Sequence, residues 1–399
     1  MWRERLAMLI GYEFTWRHAG WLSFVAASML SLLGVYAIDV ATSVQPPDGL
    51  VTTSGRPLRQ ILYLIVAVIA GGIVAIPRTE IIRHAAWPMM ILGLGLLVFL
   101  LIPSVPTWLV APQNGARGWI TIGSINIQPA EPMKIAYVLV VASYLRYRRN
   151  HRRFLGLLPP ALMTAAPAAL ITLQPDLGTA VLFAPSLFAM LVAAGAKLRH
   201  LAIIVVLAAL AAPASYPLMR DHQKQRIQGM MMAFRGEREG ADDVNFQQYT
   251  AADVLGAGQI NGVTDSRARA LVRYTALPES HTDMIFAVLV NRFGMWGGLG
   301  ILVLYGVWLS GAGIVAAMCR DPFGRLVVIG CATIVAAQVV INIGMTTGLL
   351  PIIGITLPFL SFGGSSLLTV WMMTGLVVGV GLRRPRPPYR QSFEYDDEP

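Results

Sequence analysis

The sequence predicts an all-α polytopic membrane protein of about ten transmembrane helices, with both termini cytoplasmic and a large extracytoplasmic loop between the seventh and eighth helices. Three observations predict it. Of 399 residues, 55% are hydrophobic and only 13% charged, too few charges to cover a water-exposed surface. Stretches such as Ala85 to Pro103, Leu201 to Met219 and Leu326 to Met345 carry no ionised side chain, and Gly20 to Ala41 carries only Asp39. Each has roughly the 20 residues that a helix needs to cross the hydrocarbon core. The basic residues, finally, gather in short segments between these stretches.

In chain order the spans are 20–41, 60–77, 85–103, 132–148, 154–174, 178–196, 200–219, 295–318, 326–346 and 365–382. They form a single transmembrane domain, 20–382, flanked by an N-terminal segment, 1–19, and a tail, 383–399. Residues 1–20 hold five charges, Arg3, Glu4, Arg5, Glu13 and Arg17, so the first span rather than a cleavable signal peptide is expected to set the topology. The fifth span contains Pro159, Pro160 and Pro167, which predicts a kink that neighbouring helices accommodate. From Asp283 to Met318 is too long for one upright span. A break is expected near Gly294 or Gly297–Gly298, leaving a short helix that carries Asp283.

Orientation follows from the positive-inside rule. The loops 78–84, 146–153, 197–199 and 319–325 contain Arg78, Arg83, Arg146, Arg148, Arg149, Arg152, Arg153, Lys197, Arg199, Arg320 and Arg325, against Arg56, Arg59 and Arg117 in the alternate short loops. The first set is therefore cytoplasmic. The formal net charge of +10 is a product of this topology and does not indicate nucleic acid. Cys319 and Cys331 have no CxxC or Cys/His neighbours, which excludes a disulfide framework or thiolate metal site as a reading of the pattern.

The unusual polar, Gly and Pro clusters fall on the opposite, outer face. Glu131 and Lys134, at i and i+3, share a helix face and can pair; ionised groups near a bilayer mark either a structural pair or a wet functional cavity. Asp176, in the short turn Gln174–Gly178, reads as a helix N-cap or as part of the same outer site. In the loop 220–282, Arg220, Lys224, Arg226, Arg235 and Arg238 surround Met230, Met231, Met232 and Phe234, the pattern of a basic amphipathic piece on the outer membrane surface. Glu279, His281 and Asp283 enter an apolar helix. One histidine at alternating spacing is a poor metal set, whereas a lone carboxylate where water meets membrane suits a general base. Residues 348–366 place non-helical backbone at membrane depth, tolerated only when buried in protein or lining a cavity, and Gly363–Ser366 opens the last span with N–H groups suited to an anion.

In this order NGARGW, QPAEPMK, QPDLGTA, LPESHTDMIFAVL and TGLLPIIGITLPFLSFGGSS resemble the successive signature segments of the RodA/FtsW (SEDS) family of peptidoglycan glycosyltransferases, over most of the chain. The resemblance implies polymerisation of lipid II into β-1,4-linked glycan on the extracytoplasmic face of a bacterial cytoplasmic membrane, with release of undecaprenyl pyrophosphate, in elongation, division or sporulation. It implies Asp283 as general base, Arg59, Arg117, Lys134 and Arg226 as ligands of the pyrophosphate, and Glu131, Asp176, Glu279, His281, Ser365 and Ser366 as supporting residues. The implied partners are the bilayer, lipid II with undecaprenyl-linked glycan, and a class B penicillin-binding transpeptidase. No protein metal cage is visible, so any Mg or Mn ion would bridge to pyrophosphate. The sequence departs from the family at Asn291–Arg292, where an acidic pair is usual, at Met284, at Ala130 and in the thinned glycine stretch Leu255–Gly262. A lipid II flippase is the main alternative, although no inverted repeat is evident; a non-catalytic scaffold is the other.

Overall fold

A computed structural model describes residues 13–14, 18–43, 54–110, 117–123, 125–148, 153–215, 224, 228 and 246–384. The basic amphipathic piece expected over 220–238, Arg226 included, lies outside these residues apart from Lys224 and Gln228. Helices dominate: α1 (Gly20–Thr42), α2 (Gly55–Ala75), α3 (Thr79–Leu101), α4 (Ala130–Leu145), α5 (Leu158–Leu173), α6 (Leu177–Val181), α7 (Phe183–Ala193), α8 (Leu198–Ser215), α9 (Phe246–Ala257), α10 (Asp265–Tyr274), α11 (Ile285–Met318), α12 (Pro322–Thr346) and α13 (Gly364–Leu382). Two small antiparallel ribbons accompany them. β1 (Glu13–Phe14) pairs with β4 (Arg383–Arg384), and β2 (Ile120–Ile122) with β3 (Ile125–Ile127).

Among the described residues seven helices are long and apolar enough to cross a membrane, and Leu177–Ala193 and Leu198–Leu207 are shorter apolar segments. With α4, each predicted span overlaps helix, the sixth being divided between α6 and α7 and the seventh being described only as far as Ser215. α4 is short, yet 13 of its residues are buried. A helix apolar all round has no lipid-facing stripe and belongs inside the bundle, and α4 packs there against α3, α5, α12 and α13.

Close backbone approach holds the bundle where lipid offers no hydrophobic drive between helices. Gly71 and Gly375 let α2 and α13 touch, since a Cβ on Gly375 would lie 2.1 Å from the Gly71 carbonyl oxygen. Gly311 does the same between α11 and α1, where the Ser23 hydroxyl donates to the Trp308 carbonyl at 2.8 Å. Pro159 and Pro160 occupy the first turn of α5, where a missing N–H costs nothing, while Pro167 lies inside that helix.

The expected break in the eighth span is at Gly294, whose φ of +72° and ψ of −169° interrupt α11. One expectation is corrected. No short helix carries Asp283; helix starts only at Ile285, and Asp283 sits in the preceding turn. Glu279 there has a left-handed φ of +49°, and its carbonyl accepts from the N–H groups of both Thr282 and Met284, which closes a turn rather than a helix.

Candidate active site

Asp283 lies at one end of the bundle, where the turn Glu279–Met284 meets the non-helical segment 351–363 and the start of α6. Gly354 makes the contact possible. Its φ is +76°, and a Cβ there would stand 3.3 Å from Asp283 Oδ2, so the carboxylate lies against a residue with no side chain. Gly178, at the start of α6, packs on the same strand of chain, its Cβ position 2.8 Å from Ile355 Cγ1 and 3.2 Å from the Gly354 carbonyl. Bulk at either glycine would displace backbone next to the carboxylate.

Hydrogen bonds tie the turn to the segment. The Phe362 N–H donates to the His281 carbonyl at 2.9 Å, and the Ser361 hydroxyl donates to the Thr282 carbonyl at 2.6 Å while accepting from the Leu357 N–H at 2.8 Å. From the other side Gln60, buried on α2, donates to the Ser361 carbonyl at 3.1 Å and accepts from the Gly363 N–H. This is non-helical backbone satisfied by protein, as membrane depth requires. Arg56 and Arg59 stand exposed near the start of α2. His281 is half-buried against Phe362. Burial, then the Arg56 charge, hold its imidazole below the usual 6.5, and Glu279 only partly offsets them; at neutral pH it is uncharged. Glu279 is exposed and accepts from the Thr282 hydroxyl at 2.6 Å.

A second layer runs from α4 to α13. The Gln128 amide donates to Asp176 Oδ2 at 3.1 Å, and Asp176 Oδ1 accepts from the Thr179 N–H at 2.9 Å as the N-cap of α6. The Gln128 N–H donates to the Ser365 hydroxyl at 3.1 Å, which donates to the Asn126 carbonyl. Ser366 pairs with Thr356 at 3.0 Å. One turn beyond Gln128, Lys134 and Glu131 form an ion pair at 2.8 Å with side chains only 1% and 5% exposed. Arg117 is half-buried, with a guanidinium N–H donated to the Val105 carbonyl at 3.4 Å.

Comparison with known proteins decides the family. The cell-cycle-protein family model FTSW_RODA_SPOVE matches residues 18–384. The chain belongs to the FtsW/RodA/SpoVE family. It is 34% identical over 326 residues to stage V sporulation protein E of Bacillus subtilis, covering 81% of this chain and 86% of that one. It is 33% identical over 368 residues to a probable peptidoglycan glycosyltransferase FtsW of Thioalkalivibrio sulfidiphilus, covering 88% and 87%. Its fold matches the crystal structure of Thermus thermophilus rod shape determining protein RodA with a TM-score of 0.65, at 26% identity over 90% of this chain and 96% of that one. A chain of a peptidoglycan synthase complex that coordinates polymerization and crosslinking matches at TM-score 0.74, with 26% identity over 90% and 97%.

Within this FtsW/RodA/SpoVE chain the unusual pair Asn291–Arg292 has a structural use. Asn291 is fully buried and donates to the Val254 carbonyl of α9 at 2.7 Å. Arg292 donates to the Tyr36 hydroxyl at 2.9 Å and the Val263 carbonyl at 2.9 Å, and lies 3.6 Å from Asp265. Arg269 joins Asp265 at 2.6 Å to Asp39 at 2.7 Å. These contacts fasten the helices of the large loop, α9 and α10, to the ends of α1 and α11. The sequence reading did not find this network; the only signal was Asp39, an acid within an apolar span.

Proposed function

We propose that the chain polymerises lipid II into β-1,4-linked glycan on the extracytoplasmic face of a bacterial cytoplasmic membrane, releasing undecaprenyl pyrophosphate. The observation that carries it is the Asp283 carboxylate, packed on Gly354 at the junction of three signature segments. In the reaction Asp283 takes the proton of the acceptor sugar hydroxyl. The freed oxygen forms the glycosidic bond to the donor anomeric carbon, and the bond from that carbon to pyrophosphate breaks with its electron pair on the leaving group. A positioned base contributes typically ~100- to 10,000-fold, and cations aimed at the departing diphosphate stabilise the charge that develops there.

Arg59 and Arg117, together with Arg226, are the proposed ligands of pyrophosphate. Lys134 is proposed to act in the same field, its ammonium held by Glu131, while Asp176, Glu279, His281, Ser365 and Ser366 support the surrounding backbone. Among the described residues no group of three or more His, Cys, Asp or Glu is gathered to hold a metal ion. A Mg2+ or Mn2+ ion is proposed as a bridge to substrate pyrophosphate, and no step is derived through it. The relation to a synthase complex supports a class B penicillin-binding transpeptidase as partner.

The test is glycan synthesis from lipid II by the purified chain with a matching transpeptidase. Asp283→Asn is expected to lower the rate ~100- to 10,000-fold with lipid II still bound. Undiminished synthesis would remove Asp283 as the base. Absence of synthesis by the wild type under conditions where it moves lipid II between leaflets would favour the flippase.

A further inference from the structure

We propose that Asn342 is the positioning residue for Asp283, holding the base against the segment that faces it; the inference rests on the reading of Asp283 as general base. Asn342 lies on α12 and is 0% exposed. Its side-chain amide donates to the Asp283 carbonyl at 2.8 Å and to the Ile355 carbonyl at 2.6 Å. Both N–H groups of one planar amide are thus committed, one to the backbone of residue 283 and one to the residue after Gly354. Gly354 lies beside the Asp283 carboxylate, its Cβ position 3.3 Å from Oδ2. This side chain therefore joins the base to the wall opposite it at residue 283 itself, beyond the bonds that the same segment makes to His281 and Thr282.

Local structure explains why such a device is needed here. Asp283 is in a turn before α11, so the helix ladder does not fix it, and Gly354 has no Cβ to restrict its own backbone, which takes a left-handed φ of +76°. The segment's bonds to His281 and Thr282 stop short of residue 283, and Asn342 holds residue 283 itself. α12 is a continuous helix from Pro322 to Thr346, and one turn after Asn342 the Thr346 hydroxyl lies 3.8 Å from Met284 Sδ. The rigid helix thus grips the turn at two successive residues.

The amide is also an imperfect fit, and that favours a functional reason for it. Asn342 Oδ1 is buried and meets no donor among the described residues, a group that costs free energy to leave unpaired. Asparagine serves here for its two donors and not for its acceptor. A polar residue retained inside an apolar helix at such a cost, with its donors on the reacting turn, is where local rules are expected to yield to function.

The test compares two fully buried amides that each cap a backbone carbonyl. Asn342→Leu removes the donors at the base; Asn291→Leu removes the bond to Val254, away from the Asp283 turn. Both variants are expected to unfold at lower temperature by similar amounts. Asn342→Leu is expected to lose roughly 10- to 100-fold in kcat for lipid II polymerisation with KM within about threefold of wild type, because a displacement near 1 Å costs on that scale. Asn291→Leu is expected to keep kcat within about threefold. Equal kcat in the two variants, or an Asn342→Leu change in KM alone, overturns the proposal. Should Asn342→Leu fail to fold, Asn342→Ser, with one donor for two carbonyls, is measured in the same way, and a wild-type kcat there overturns it as well. Asp283→Asn run alongside separates the failures: activity in that variant removes the base itself, whereas an inactive Asp283→Asn with unimpaired Asn342→Leu removes only the positioning role.

Discussion

Replacing Arg269 by Met should release α10 from the bundle, and the structure sets the size of the effect. The Arg269 side chain is only 7% exposed and makes three bonds: to Asp265 at 2.6 Å, to the Asp39 carboxylate at 2.7 Å and to the Asp39 carbonyl at 3.1 Å. Methionine keeps most of the packed stem and removes the charge, so packing loss is minor. Hydrogen bonds to charged groups contribute about 1.5–3 kcal/mol when their partners stay buried. Asp265 is 41% exposed and can partly take water instead, so its share is small, on the order of 0.5 kcal/mol. Asp39, 23% exposed, is left partly dry and facing another carboxylate. The sum is about 2–4 kcal/mol, near the lower end for breaking a buried pair, and amounts to roughly 30- to 700-fold in an opening equilibrium. Hydrogen exchange of the α10 amides, with the buried α4 amides as internal reference, reads this directly. Exchange in α10 changed by less than about threefold would refute the reasoning and assign docking to Ala268, Val272 and Leu277, the apolar residues beneath the helix.

Three further outcomes follow from particular contacts. Gly375→Ala should force α2 and α13 apart, because the new methyl would meet the Gly71 carbonyl oxygen at 2.1 Å; about 1–3 kcal/mol of stability should be lost. Gly72→Ala, next to Gly71 but facing open space, should unfold at the wild-type temperature, and equal losses in the two would be evidence against that helix contact. Gly354→Ala should cost about 1–2 kcal/mol for its left-handed backbone and also push on Asp283 Oδ2, so kcat should fall further than stability accounts for; a parallel fall would mean that Gly354 serves the fold alone. Burial raises the Asp265 carboxyl, but hydrogen bonds from Tyr36 and Arg269 and the nearby guanidinium charges outweigh it and hold the group below 3.8. A lowered folded value gives stability that is present above the unfolded value and lost as pH falls through the folded one. Protection of α10, corrected for intrinsic rates, should therefore be constant from about pH 7 to 5 and fall below about pH 4; loss already by pH 5 would point to another group.

Much of the site was legible in linear order because its residues are punctuation. Pro351, Gly354, Pro358 and Gly363 each disfavour helix and lie close together, so a stretch containing them inside an apolar chain signals irregular backbone. Glu131 and Lys134 announced their pairing by an i, i+3 spacing that any helix brings together. Glycines announced a break in α11 near Gly294 or Gly297–Gly298, and it falls at Gly294, where glycine tolerates the positive φ. The helices α9 and α10 and their ion network were not legible. Their charged ends give no sign of the partner they bind, and Asp39 and Arg269 meet across 230 positions.

The sequence alone determined the membrane class and where along the chain the apolar helices fall, because bilayer thickness and charge cost act on each segment separately. Only the tertiary structure decided that Asp283 precedes its helix and does not lie on it, that Gly354 is its neighbour, and that Asn342, an inconspicuous amide in an apolar span, bonds both sides of that contact. These depend on which helix lies beside which turn, and no local preference of a residue encodes that.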